Sequence, residues 1–156
     1  MSEKINPFTN ASELRIRPAR KEDAAALAQL ANELEHPTTQ EQVSERFSAA
    51  AKQNTYALIV GELPSGELAG FMELVVERLI DAEPRVDVAG VVVSEARRGC
   101  GIGRMLMAYA ETWAAERGCR IVHVRSNVKR AGAHVFYERL GYEHFKTQKA
   151  FRKILK

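Results

Sequence analysis

The sequence predicts one α/β (α+β) domain, a sheet flanked by helices, and three observations predict it. The chain has 156 residues, about the commonest size for one hydrophobic core. Its composition, 46% hydrophobic and 28% charged, is that of a soluble globular protein. Along it, stretches with the two-residue alternation of strands exchange with stretches at helical spacing.

The first strand is read in "ELRIRPA", residues 13 to 19, where Leu14 and Ile16 alternate with charges and Pro18 closes the run. "KEDAAALAQLANELE" follows with acids in its first turn and Leu27, Leu30 and Leu34 on one side, so a helix is expected. After Pro37, "HPTTQEQVSERFSAAAK" restarts a helix, with Thr38 or Thr39 as cap and Val43 and Phe47 on one face. "TYALIVGEL" and "LAGFMELVVERL" are strands joined through the "PSGE" turn. "RVDVAGVVV", residues 85 to 93, is a valine-rich strand buried along much of its length. It runs into a glycine loop and then the helix "GIGRMLMAYAETWAAERG", with Ile102, Leu106, Tyr109 or Ala110, and Trp113 on one side and Gly118 as its stop. "CRIVHVRSN" is the fifth strand. "RAGAHVFYERLGY" is a short helix with Val135, Phe136 and Leu140 inward, and "YEHFKTQKAFRKIL" is expected to add one or two terminal strands.

Composition narrows function. No apolar run approaches the ~20 residues of a membrane span. "MSEKINPFTN" carries neither a signal core nor a basic presequence, so the cytoplasm is the expected compartment. Cys100 and Cys119 lack the spacing of a zinc site or disulfide framework and read as reduced thiols. The net charge of +3 conceals a division: residues 1 to 96 hold 9 Lys/Arg against 16 Asp/Glu, and residues 97 to 156 hold 14 against 4. The second part suits an anionic ligand and the first a cationic one. Its basic residues are dispersed among apolar ones rather than massed in a tail, which argues against nucleic acid.

"EARRGCGIGRML" places Gly99, Gly101 and Gly103 between a strand and a helix. A helix start offers unpaired amides and partial positive charge, and glycine lets a phosphate approach them. A nucleoside-triphosphate loop needs Gly-Lys-Ser/Thr, but Gly103 is followed by Arg104 and Met105. A dinucleotide loop needs a third glycine and a place in the first βαβ unit, and neither is present.

Arg98-x-x-Gly101-x-Gly103 resembles the acyl-CoA pyrophosphate loop of the GNAT (GCN5-related N-acetyltransferase) superfamily. The opening "LRIRPARKEDAAAL", the strand "VAGVVV", the asparagine of "VRSNVKRAGAH" and the late "FYERLGY" follow in that family's order. The resemblance covers about residues 13 to 155 and implies a mixed, mostly antiparallel sheet, with a cofactor cleft between splayed parallel strands four and five. It implies acetyl-CoA as donor without a metal. The amides of Arg98, Gly99, Cys100, Gly101, Ile102, Gly103 and Arg104 would hold the pyrophosphate, and the backbone of Val91, Val92 and Val93 would face the pantetheine arm. Asn127 would fix that arm or else cap the next helix, and Arg130 with Lys129 would meet the 3′-phosphate. His134 reads as a packing or cofactor-edge residue.

Transfer to an amine needs a proton acceptor and a proton for the departing thiolate. Tyr137 matches the family tyrosine that protonates the sulfur. Many relatives carry a glutamate where this chain has Ala89; Asp87, expected by strand alternation to share a face with Ala89 and Val91, is the first choice of base, with Glu73, Glu77 and His123 as further candidates. The expected acceptor is a small cationic primary amine, aminoalkyl or aminoglycoside-like, attacking directly in a ternary complex. No nucleic-acid or membrane partner is expected, and a homodimer is compatible with the resemblance. The rival reading, prompted by Ala89, is a non-catalytic acyl-CoA-binding or sensing module.

Overall fold

The computed structural model describes residues 13–33 and 37–156; Leu34 and the opening "MSEKINPFTN" lie outside them. The chain divides after Arg125 into two compact units. The first holds a five-stranded sheet in the order β1 (Arg15–Pro18), β2 (Tyr56–Glu62), β3 (Leu68–Glu77), β4 (Arg85–Val93), β5 (Ile121–Val124). The first three neighbouring pairs are antiparallel and β4 with β5 is parallel. Helices α1 (Ala24–Glu33), α2 (Gln40–Ala50) and α3 (Ile102–Glu116) flank it, which is the mixed sheet the sequence predicts.

The parallel pair needs a crossover, and α3 supplies it. Its buried residues, Ile102, Leu106, Met107, Ala110, Trp113 and Ala114, recur at helical spacing and pack on β3 and β4. Ala110 rather than Tyr109 takes the fully buried position. The other sheet face closes with Leu27 and Leu30 of α1, Leu58 and Val60 of β2, Leu68, and Val92 of β4, with Val43 and Phe47 of α2 packed against them. Burying each such side chain contributes roughly 1.5–3 kcal/mol. Thr39 caps α2: its side chain accepts from the Gln42 N–H and the Gln42 side chain accepts from the Thr39 N–H.

One charge that alternation places on the surface lies inside. Arg17 is 7% exposed and donates to both carboxylate oxygens of Asp23, at 2.8 and 2.9 Å, and to Glu62 at 2.8 Å. Asp23 also accepts from the Arg20 N–H at 2.7 Å. This network ties β1 to the turn leading into α1 and to β2. Arg17 holds the Asp23 carboxyl below its ordinary range.

The second unit, Ser126–Lys156, contains α4 (Ala131–Arg139). Phe136 and Leu140 are half-buried, but Val135 is 46% exposed and does not point inward as the pattern suggests. The expected terminal strands are absent: no strand follows Tyr142 among the described residues. Phe151, Ile154 and Leu155 are exposed. A strand forms only against a hydrogen-bonding neighbour, and this unit contains no other extended element to provide one.

Breaking the buried network tests it. Arg17→Met strands two carboxylates and is expected to cost about 3–5 kcal/mol in urea unfolding at neutral pH. Because Asp23 has a depressed native pKa, its stabilisation is present at neutral pH and is lost as pH falls below the ordinary carboxylate range. The deficit of Arg17→Met should therefore shrink in acid; a deficit that is small or independent of pH contradicts the assignment.

Candidate active site

β4 is paired unequally on its two sides. With β3 it pairs from Arg85 to Val93, and with β5 only from Arg85 to Val88. From Ala89 to Val93 the edge toward β5 has no strand partner among the described residues, so its backbone groups are available to water or to a ligand. The pairing of strands four and five stops because β5 ends at Val124.

At the end of this edge the chain is anchored. The Ser94 N–H donates to the Ala69 carbonyl at 2.8 Å, the Glu95 N–H to Glu33 Oε2 at 2.8 Å, and Arg97 Nη2 to Glu67 Oε2 at 3.1 Å. Gly99 and Gly101 then adopt left-handed conformations, φ 78° and 81°, which would cost another residue roughly 1–2 kcal/mol each. No heavy atom lies within 4 Å of where a Cβ would stand on either. Gly101 is the N-cap of α3 and makes no side-chain cap. The Met105 N–H bonds to the Gly101 carbonyl at 3.1 Å, so the amides of Ile102, Gly103 and Arg104 precede the first intrahelical bond. Together these form an open concavity of amides suited to an oxyanion. The Cys100 thiol donates to the Arg98 carbonyl at 3.8 Å.

A bulge sets which side chains flank this edge. Glu73 pairs with Gly90 and Leu74 with Val88, leaving Ala89 as the extra residue. Alternation is therefore broken, and the expectation that Asp87 shares a face with Val91 is corrected. Asp87 pairs with Val75, Gly90 with Glu73 and Val92 with Phe71, while Val91 pairs with Met72 on the opposite face. Ala89 is exposed. The signal for the bulge was the glycine inside a valine strand.

Asp87 lies deep on its face, 6% exposed, and neither carboxylate oxygen has a hydrogen-bond partner among the described residues. Three cationic or titratable groups surround it: Arg125 at 3.6 Å, His123 at 3.7 Å and Arg85 at 3.9 Å. Burial first, and the neighbouring Glu77 second, push its pKa up to about 6 against the pull of Arg125 and Arg85. Glu77 is itself paired with Arg85. Farther along the face, the Tyr56 hydroxyl donates to Glu73 Oε1 at 2.8 Å, and burial, then Glu73, raise the Tyr56 pKa. Sequence reasoning did not find this pair, because 17 residues separate its members.

Within the second unit, Asn127 Oδ1 accepts from the Lys129 N–H at 3.0 Å. This is an Asx turn, and the N-cap of α4 is Arg130. The Asn127 carbonyl accepts from the Arg130 N–H and from His134 Nε2, both at 2.9 Å, so His134 has a structural partner. Tyr137 stacks edge-on with Phe136 and Tyr142, with centroids 5.2 and 6.2 Å away. Burial raises its phenol pKa, with Arg130 pulling the other way.

Comparison with known proteins agrees with this geometry. Residues 23–142 match the family model described as Acetyltransferase (GNAT) family. The chain is 36% identical over 91 residues to an aminoalkylphosphonate N-acetyltransferase of Salmonella typhimurium, covering 56% of this chain and 59% of that protein, so the match spans about three fifths of the relative. It is 29% identical to an aminoglycoside N(6')-acetyltransferase type 1 of Stenotrophomonas maltophilia, over 90% of this chain and 93% of that one. In fold it resembles the aminoglycoside N-acetyltransferase AAC(6')-Iy, solved in complex with CoA, with a TM-score of 0.81 at 19% identity over 93% and 97% of the two chains.

The environment of Asp87 is directly measurable. Its carboxyl carbon, followed by NMR, is expected to titrate near pH 6. In Glu77→Gln the midpoint should move down, because a neighbouring anion has been removed. An ordinary midpoint near 4 in the unmodified protein would contradict the assignment.

Proposed function

The chain belongs to the GNAT acetyltransferase family, and from that premise we propose that it moves the acetyl group of acetyl-CoA to the primary amine of a small cationic acceptor. The observation that carries this reading is the unpaired edge of β4 running into the left-handed glycine loop at the start of α3. An extended arm can take strand-like hydrogen bonds from that edge, as peptides do at sheet edges. A pyrophosphate at its end meets the amides of Arg98 to Arg104. The acceptor class is supported by two relatives whose names specify aminoalkylphosphonates and aminoglycosides.

In this reading the backbone of Val91, Val92 and Val93 aligns the thioester, and Asn127 and Arg130 serve the pantetheine arm and the 3′-phosphate. Asp87 accepts the proton of the acceptor ammonium through water, since its own oxygens are buried. A pKa of about 6 leaves it mostly ionised at neutral pH yet basic enough to take a proton. The amine nitrogen bonds to the acetyl carbon, the carbon–sulfur bond breaks, Tyr137 gives its proton to the departing sulfur, and the second proton shed by the nitrogen as the amide forms restores the tyrosine through water. Transfer is direct and uses no metal and no acyl-enzyme. Tyr137 and Asp87 rest on the correspondence of "FYERLGY" and on the strand-four face respectively.

An amine panel with detection of the free thiol tests the activity; thiol release requiring both acetyl-CoA and amine is expected, and acetyl-CoA binding without any turnover would sink the proposal. Tyr137→Phe should lower kcat by about 10²-fold while the dissociation constant of acetyl-CoA stays put. Unchanged turnover removes it as the acid. Asp87→Asn should also lower kcat/KM and abolish the limb along which activity falls as pH drops through about 6; a retained limb sends the proton elsewhere.

A further inference from the structure

Strands β3 and β4 place three carboxylates on one face of the sheet, Glu73, Glu77 and Asp87, as their ladder shows: Glu73 opposite Gly90, Val75 opposite Asp87, Glu77 opposite Arg85. Two of them have basic partners. Glu77 pairs with Arg85, and Asp87 has Arg125, His123 and Arg85 around it. Glu73 makes no ion pair among the described residues; its partner is the hydroxyl of Tyr56. It is half-buried, so its charge is neither fully hydrated nor neutralised.

Its position is specific. A Cβ on Gly90 would stand 3.6 Å from Glu73 Oε2, so the carboxylate lies over the one residue of β4 there that has no side chain. The bulge at Ala89 marks the same point, which is also where β4 leaves β5. Thus strand three places an anion beside the start of the free edge, at the level where strand four contributes only alanine and glycine. Tyr56 fixes the carboxylate through Oε1, and Oε2 is the oxygen nearest Gly90.

We propose that Glu73 is the anion that receives the acceptor's ammonium group, oriented by Tyr56 as a positioning residue, and that it selects primary amines carried as cations over neutral acceptors. The role rests on the acetyltransferase reading above and deepens it. Binding and proton removal are divided between two carboxylates: Glu73 draws the cation in, and Asp87, held among cations, takes the proton. An ammonium at Glu73 Oε2 gains a charge-assisted hydrogen bond at an anion already partly withdrawn from water.

The test uses the full chain and an amine turned over by the unmodified protein. Glu73→Gln is expected to raise the KM for the amine about 10- to 100-fold, the loss of one hydrogen bond to a charged group, with a much smaller change in kcat and none in the KM for acetyl-CoA. Tyr56→Phe should raise the amine KM less, about 3-fold, and a thermal melt confirms that each variant is folded. Trimethylammonium, a cation that keeps one N–H donor and gives no stable amide, should compete with the amine in the unmodified protein and lose its effect in Glu73→Gln. An unchanged amine KM in folded Glu73→Gln overturns the assignment while leaving the acetyltransferase reading intact. If no amine is turned over, that reading fails, and trimethylammonium still decides the anion's role: it shifts the Glu73 carboxyl and Tyr56 ring NMR signals if the site is real and leaves them unmoved if it is not.

Discussion

β4 is the strand on which the rest depends, because a backbone edge cannot be buried unpaired without cost. Its pairing with β3 runs its full length, so it is held as firmly as any strand in the sheet. Its pairing with β5 stops at Val88. The next five residues combine rigidity on one side with open hydrogen-bonding groups on the other, which neither a loop nor a fully paired strand provides. Packing and hydrogen bonding are divided along the strand: Val92 joins the core under α1 and α2 and turns its carbonyl toward Gly70 of β3, while alternate residues turn their backbone groups toward the gap.

What surrounds the edge keeps it open. α3 packs on β3 and β4 on one face and so delivers its N-terminus, with the two left-handed glycines, at the end of β4. Gly70 permits the close approach of the β3 and β4 backbones beside this edge, since a Cβ there would stand 2.5 Å from the Val92 carbonyl oxygen. The loop is fastened by Ser94, Glu95 and Arg97 rather than by the residues that line its concavity. At the start of the sheet the buried Arg17 and Asp23 and the half-buried Glu62 satisfy one another.

The sequence made some of this legible and not the rest, for physical reasons. β4 was readable to its last residue because a valine run bounded by Pro84 and a glycine loop has no competing interpretation. α3 was readable because one apolar stripe satisfies one period. The antiparallel hairpin and the phosphate-type loop followed from turn chemistry. Arg17 was not, since burial of a charge depends on Asp23 and on Glu62, 45 residues away. Face assignments failed beyond Val88 because a single bulged residue, Ala89, shifts every later side chain. The Tyr56–Glu73 pair depended on the register of β2 against β3, which brings together residues 17 apart in the chain. The strands expected after Tyr142 failed because alternation states a preference and a partner strand decides it.

The central claim is that acetyl-CoA lies along the open edge of β4 with its phosphates on the glycine loop. Backbone amide hydrogen exchange with and without CoA tests this most directly. The account predicts slowed exchange confined to the amides within residues 89–93 and 98–104 of the first unit, with the paired stretch of β4 from Arg85 to Val88 unchanged. Protection elsewhere in this unit, with these amides exchanging as before, would contradict it.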